Sequence, residues 1–407
     1  MKKLICLLLA LCLMLVLPLS CFAAGEDEVD TSGFTGDYSK FQGQNITINV
    51  YNWGEYISEG SDGESLDVNQ LFEELTGIHV NYLNFATNEE LYAKLKAGGA
   101  DYDVIFPSDY MISRMIAEDM LEKLDYANIP NFDKNISDSF KGMAHDPNNE
   151  YCVPYMWGTV GIVYNKTMVE EAPDSWDALW DERYAGQILM FSNPRDAFGI
   201  AQFKLGYSVN TTDPVEIEEA AAELRNQKPL VAAYVMDEIF DKMEGGEAAM
   251  APYYAGDAIT MMDENSDLAF AVPKEGTNLF SDAMCIPKGS KNKEAAELYI
   301  NFMCEGPVAL ANSEYIGYSS PNDAALDLMD DEMKSNEISY PSEEVLANTE
   351  PFLNLDEESN VLMSNLWTYI ISSNDNYNQL VMPAFILAAV ALSVGINVAR
   401  SHKRKSK

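Results

Sequence analysis

Histidine is almost missing from this chain: three residues in 407, at His79, His145 and His402. So sparse and scattered a supply excludes a histidine-built metal centre and a Ser-His-Asp hydrolytic site. Cysteine is scarce too. Cys6, Cys12 and Cys21 sit in an apolar leader, which leaves Cys152, Cys285 and Cys304, an odd set without metal-ligand spacing. One disulfide is the most they could form, and none is required. Basic residues number 26 against 65 acidic ones, a field that repels nucleic acid and attracts cations, although excess acid is also solubilising. No internal repeat and no cofactor fingerprint is present, so neither a repeat architecture nor an enzyme is expected.

Both termini carry what the rest of the chain lacks. Met1-Lys2-Lys3 precedes an apolar run and then small residues at Ala23 and Ala24, the layout of a secretory signal peptide over residues 1–23. Pro18 argues against a lipidated Cys21 as the anchor. At the other end, residues 380–398 form 19 consecutive positions without a charge. As a helix that stretch would reach roughly 28 Å, about one bilayer core. The basic tail 399–407 follows it, and positive-inside bias puts that tail in the cytoplasm and the bulk of the chain outside. Seven of the 26 Lys and Arg lie in the two end segments, leaving 19 basic against 65 acidic residues in the exported part.

The length implies two lobes. Residues 24–44 are acidic and rich in Gly and Ser, and read as a flexible spacer. The folded part starts near residue 45 with a strand. Val68, Leu71, Phe72 and Leu75 then keep helical spacing ahead of Gly77, a strand follows over 78–85, and Thr87-Asn88-Glu89-Glu90 matches a capping box. A third short strand over 102–106 ends at Pro107, with Ser108 placed to cap the next helix. This βαβαβ order predicts a mostly parallel sheet with helical crossovers. A second α/β series runs from about residue 161, and residues 284–286 return to the first lobe. The expected division is 45–157 with 282–327 for lobe 1 and 158–281 with 328–370 for lobe 2, a second spacer running on from about 356 to 379.

The first strand empties into Tyr51-Asn52-Trp53-Gly54-Glu55-Tyr56, and the C-terminal ends of strands are where ligands dock in open α/β sheets. Rings beside one acid suit an organic cation, through the ring quadrupoles and the neutralising carboxylate. The same residues could instead close a sheet end as core, with Glu55 solvated.

A longer set of strings resembles one family. YNWGEY, ELTGIHV, ELYAKLKAGGADYDVIFPSDY, DPNNEYCVPYMWGTVGIVYNK, SWDALW, PRDAF, KLGYSVNTTDP, PKEG, SDAMCIPKGSKNKEAAELYINF and EYIGYSSPN occur in order between residues 51 and 322. The run resembles the polyamine-binding proteins (spermidine/putrescine type) of ABC importers. That resemblance implies a two-lobed periplasmic-binding-protein-like fold of type II, each lobe a mostly parallel sheet flanked by helices. It implies a monomeric receptor that closes on putrescine or spermidine, needs no cofactor or metal, and hands its ligand to permease subunits. Carried over residue by residue, it makes Trp53, Glu55 and Tyr56 ligand-facing, with Ser108 and Tyr110 after the third strand and Asp109 nearby. PRDAF supplies Asp196, one carbon shorter than the family's Glu, and Asn193 stands where the spermidine-binding member has a further acid. Tyr254 and Phe280 align with its two sandwiching tryptophans, Asp257 and Asp282 with acids, Tyr318 with a tyrosine, and Phe352 with a glutamine.

The chemistry of such a ligand is demanding. Stripping water from each ammonium costs several kcal/mol unless carboxylates take its place. Asp257 and Asp282 are expected at one end, Glu55 or Asp196 at the other. Asp196 could instead pair with Arg195. Two further readings keep the fold: a tethered sensor of organic cations uncoupled from import, and an Fe³⁺ receptor using Tyr253, Tyr254 and Tyr318 as phenolates.

Overall fold

The computed structural model describes residues 29–61, 63–98 and 101–373. The leader 1–23, the apolar span 380–398 and the tail 399–407 lie outside them, and among the described residues no helix is long and apolar enough to cross a membrane.

Strand β1 (Thr47–Trp53) is followed by helix α1 (Val68–Thr76), β2 (His79–Phe85), α2 (Asn88–Ala97), β3 (Val104–Ile105) and α3 (Asp109–Ala117). Local chemistry sets the boundaries. Asp67 caps α1 by accepting from Gln70 N, Gly77 ends it at φ 71°, and Thr87 accepts from Glu90 N at the start of α2. β1 pairs in parallel with both β2 and β3, as the alternation of strand and helix predicted.

The second half contains β5 (Ile188–Phe191), α4 (Pro194–Leu205), α5 (Pro214–Gln227), β6 (Val231–Val235), β7 (Met250–Tyr254), α6 (Ala255–Glu264) and β8 (Leu268–Ala271). The segment Trp176–Trp180 is a 3₁₀ helix.

Two long strands join the halves. β4 (Cys152–Asn165) and β9 (Thr277–Cys285) run antiparallel, and the strand order is β2-β1-β3-β9-β4-β7-β5-β6. β9 was expected only as the short return 284–286. It begins instead at Thr277, because every residue from Phe280 to Cys285 is buried and needs a partner for its backbone. β3 of the first half pairs with the Cys285 end of β9, while β7 and β8 pair with the far end of β4. A third contact crosses beside them, where Trp157 N donates to Ser319 O at 3.0 Å. The result is an α/β fold of two lobes hinged on a shared strand pair.

Both expected spacers are partly built into the fold. In the first, Tyr38 and Phe41 are buried. Phe34 and Tyr38 meet Phe302 of helix α7 (Lys293–Met303) edge-on at 6.1 and 6.0 Å. Three aromatics at positions 34, 38 and 41 bury too much apolar area to stay solvated. In the second, helix α8 (Glu357–Ser372) is capped by Asp356 and buries Met363, Trp367 and Ile370. Lys228 Nζ donates to the carbonyls of Ile370, Ile371 and Ser373, closing the helix's C-terminal end. Trp367 meets Tyr234 edge-on at 5.7 Å. Trp367→Ala should cost about 3 kcal/mol of unfolding free energy, read as a lower urea midpoint. An unchanged midpoint would mean that α8 adds nothing to the second lobe.

Candidate functional site

The ends of several strands and the starts of several helices meet at the seam between the halves. Ten of the eleven residues expected at the site line one cavity there, with an empty volume of about 580 Å³: Trp53, Tyr56, Ser108, Tyr110, Asp196, Tyr254, Asp257, Phe280, Asp282 and Tyr318. Glu55 is the exception. It is exposed and lies outside the lining, because the chain reverses there with Glu55 at φ 47°. Its charge is still felt by Asp237 and Asp257.

Five aspartates line the cavity, Asp237 just past the end of β6 among them. Asp109, Asp196 and Asp257 lie in the first turns of α3, α4 and α6, where the helix dipole favours a negative charge. Asp282 lies on β9. Tyrosine hydroxyls hold three of them: Tyr56 donates to Asp282 Oδ2 at 2.7 Å, Tyr318 to Asp257 Oδ2 at 3.0 Å, and Tyr254 to Asp196 Oδ2 at 3.2 Å. Among the described residues no Lys, Arg or His lines the cavity. Asp282 Oδ1 is buried with no hydrogen-bond partner.

Burial therefore dominates their proton affinities. It pushes Asp196 up to about 7 against the hydrogen bond from Tyr254, and Asp282 up to about 6 against the hydroxyls of Ser108 and Tyr56. Asp257 and Asp109 are raised well above the usual carboxylate range by the same burial.

Arg195 does not pair with Asp196. Its guanidinium is buried and donates to Val209 O at 2.7 Å and Asn210 Oδ1 at 2.9 Å, and it lies 4.4 Å from the centre of the Phe352 ring. Ser108 stands at the head of α3 as expected but makes no side-chain cap. Its hydroxyl accepts from Asn88 Nδ2 at 3.0 Å instead, which leaves it beside Asp282.

Rings form the rest of the wall. Phe280 meets Tyr254 edge-on at 5.4 Å, and Tyr318 meets Tyr56 at 5.0 Å. Two glycines make room for them. A Cβ on Gly256 would lie 1.8 Å from Tyr318 Cδ2, and one on Gly158 would lie 2.9 Å from Phe280 Cζ.

Residues 69–340 match the family model described as bacterial extracellular solute-binding protein. The chain is 37% identical over 309 residues to the spermidine/putrescine-binding periplasmic protein of Escherichia coli, spanning 75% of this chain and 86% of that one. The chain belongs to the spermidine/putrescine-binding family of bacterial extracellular solute-binding proteins. It is 31% identical over 350 residues to the putrescine-binding periplasmic protein SpuD of Pseudomonas aeruginosa, spanning 81% and 92% of the two chains. Its fold matches the spermidine/putrescine ABC transporter substrate-binding protein PotD of Streptococcus pneumoniae at a TM-score of 0.67 and 39% identity, covering 80% of this chain and 99% of that one. All three are named as binding proteins, the one from Streptococcus pneumoniae as that of an ABC transporter, and none as an enzyme.

In this member of the family the cavity also takes in Asn88, Met236, Asp237 and Asn278, none of them expected from the sequence. Met236 and Asp237 follow β6 directly, so an apolar run ending in an acid, as at the end of β1, was the available signal. Asp237 faces the first lobe, where a Cβ on Gly54 would lie 2.1 Å from its Oδ2. Asn88 was hidden by its place in a capping box, and Asn278 by a strand longer than expected.

The raised affinity of Asp282 has a signed consequence. Between about pH 4 and pH 6 the empty folded protein holds a proton that the unfolded chain releases, so this carboxyl's contribution to stability falls as pH rises through that window. Asp282→Asn should therefore stabilise the ligand-free protein at pH 8 by on the order of 2 kcal/mol and by much less at pH 4. Equal thermal midpoints for variant and parent at both pH values would refute the buried-charge account.

Proposed function

We propose that the protein is an extracytoplasmic receptor that closes its two lobes over a polyamine, putrescine or spermidine, and delivers it to an ABC permease. One observation carries the reading: buried carboxylates converge from both lobes on a ring-lined cavity in which, among the described residues, there is no basic side chain and Asp282 Oδ1 has no hydrogen-bond partner. An ammonium ion supplies both the missing charge and the missing donors. The rings cover methylenes and add roughly 0.5–2 kcal/mol for each cation they face. The names of the relatives point to the same ligands.

In this reading Asp257 and Asp282 take one ammonium and Asp196 the other, while Glu55 acts from the cavity mouth. Lobe 1 comprises 45–157 and 282–327, and lobe 2 comprises 158–281 and 328–370, so that both cuts fall in or beside the paired strands β4 and β9. The Fe³⁺ reading loses support, because the Tyr254 and Tyr318 hydroxyls donate to carboxylates and burial pushes Tyr253, Tyr254 and Tyr318 well above the ordinary tyrosine range. Phenolate ligands would oppose both effects. Residues 380–398 anchor the receptor in the cytoplasmic membrane near its permease, and the receptor acts as a monomer.

Calorimetric titration with putrescine and spermidine is the direct test, with saturable binding of at least one expected. Asp282→Asn and Asp257→Asn should each weaken it at least about 30-fold, the equivalent of about 2 kcal/mol. Normal polyamine affinity in both variants would sink the assignment. Gly256→Ala should displace Tyr318 from Asp257 and weaken binding at least about ten-fold, since the loss of a charge-assisted hydrogen bond alone is worth about 1.5 kcal/mol. Truncation before Leu380 should release ligand-competent protein from membranes, whereas a truncated chain that stays in the membrane fraction would place the anchor elsewhere.

A further inference from the structure

We propose that Cys152 and Cys285 join as a disulfide in the exported protein, stapling the first residue of β4 to the last residue of β9. The two are direct cross-strand partners in the antiparallel pair. Residues so placed point to the same face, with Cα atoms about 4.5 or 5.5 Å apart. Both spacings fall within the roughly 4.4–6.8 Å that a disulfide spans. The thiols are unbonded in this structure, and Cys304, the third cysteine among the described residues, follows α7 and lies on neither strand. Register alone thus selects the partners.

The Cys152 thiol has the Cys285 thiol and the His145 ring within hydrogen-bonding reach, and it donates to Asp146 Oδ2 at 3.6 Å. His145 is itself buried, at 7% exposure. In the folded protein the neighbouring Cys285 thiol and burial hold the Cys152 thiol well above the ordinary cysteine range, so the thiolate chemistry belongs to the chain before the two strands close.

The oxidant is a small-molecule disulfide of the extracytoplasmic space, the setting named for the periplasmic relatives. The Cys152 thiolate attacks one sulfur of that disulfide, forming a mixed disulfide and expelling one thiolate, which takes up a proton. Cys285 then loses its proton and attacks the Cys152 sulfur, expelling the second thiol. Two protein thiols are oxidised and one external disulfide is reduced to two thiols. Cys152 and Cys285 are 4% and 0% exposed, so exchange occurs while β4 and β9 are pairing, and the finished bond is shielded from reductants.

The staple closes a loop over residues 153–284, which contains β5, β6, β7 and β8. It constrains the unfolded chain and holds the strand pair at its first-lobe end, three residues from Asp282. The crossing between the lobes stays free to bend.

The test is oxidative refolding of the full chain in oxidised and reduced glutathione, alkylation in guanidinium, and peptide mass mapping. A linked Cys152–Cys285 peptide with an alkylated Cys304 is expected, together with a thermal midpoint about 5 °C above that of the reduced protein. The double variant Cys152→Ala/Cys285→Ala should show no gap between oxidised and reduced samples. Alkylation at all three positions, a linkage that includes Cys304, or a gap that persists in the double variant would overturn the proposal. None of these outcomes depends on polyamine binding, so the staple and the receptor function stand or fall separately.

Discussion

Negative charge buried without a counter-ion is the constraint on which the rest of this structure turns. Asp196, Asp257 and Asp282 are each less than a tenth exposed, and each costs free energy when ionised in so dry a place. The fold offsets part of that cost locally. Helix N-termini face Asp196 and Asp257, and a tyrosine hydroxyl donates to each of the three. What remains uncompensated is the driving force for taking up a cation. A cavity with an arginine beside each aspartate would be more comfortable empty and would have no use for an amine.

The same constraint explains the shape of the wall. In the proposed reading the carboxylates face ammonium groups, and the rings of Trp53, Tyr254, Phe280 and Tyr318, which line the same cavity, offer apolar surface to the hydrocarbon between them. Those rings fit only because glycine stands opposite two of them, at positions 158 and 256. Arg195 lies just behind this wall, its terminal nitrogens donating to backbone oxygens and Asn210 and its guanidinium over the Phe352 ring, instead of entering the cavity. A positive charge that close lowers the cost of ionising Asp196 without occupying the ligand's place.

The strand pair of β4 and β9 connects this chemistry to motion. Asp282 and Phe280, which line the cavity, belong to β9, while Gly158 belongs to β4, so part of the cavity wall is built into the strand pair that joins the halves. Closing the lobes removes water from ligand and carboxylates together. The electrostatic reward thus arrives only when the cleft shuts, which links capture of a cation to closure.

Much of this was legible in the residues themselves. Period-3.6 spacing from Val68 to Leu75, the cap at Thr87 and the stop at Pro107 determined the βαβαβ order of the first half, because caps, turns and apolar periodicity act over a few residues. Family strings picked out ten residues that the fold brings to one cavity. Other features needed the tertiary structure, because they are set by what packs from afar. Glu55 left the cavity when its backbone reversed, and Ser108 exchanged a cap for Asn88. The supposed spacers folded back, since Phe34 and Tyr38 found α7, Phe41 became buried, and Met363, Trp367 and Ile370 found the second lobe. By itself the sequence determined which chemical groups were available and the local elements that carry them. Only the tertiary structure decided which acids would be dry, because desolvation depends on every element that closes over a side chain and not on its neighbours in the chain.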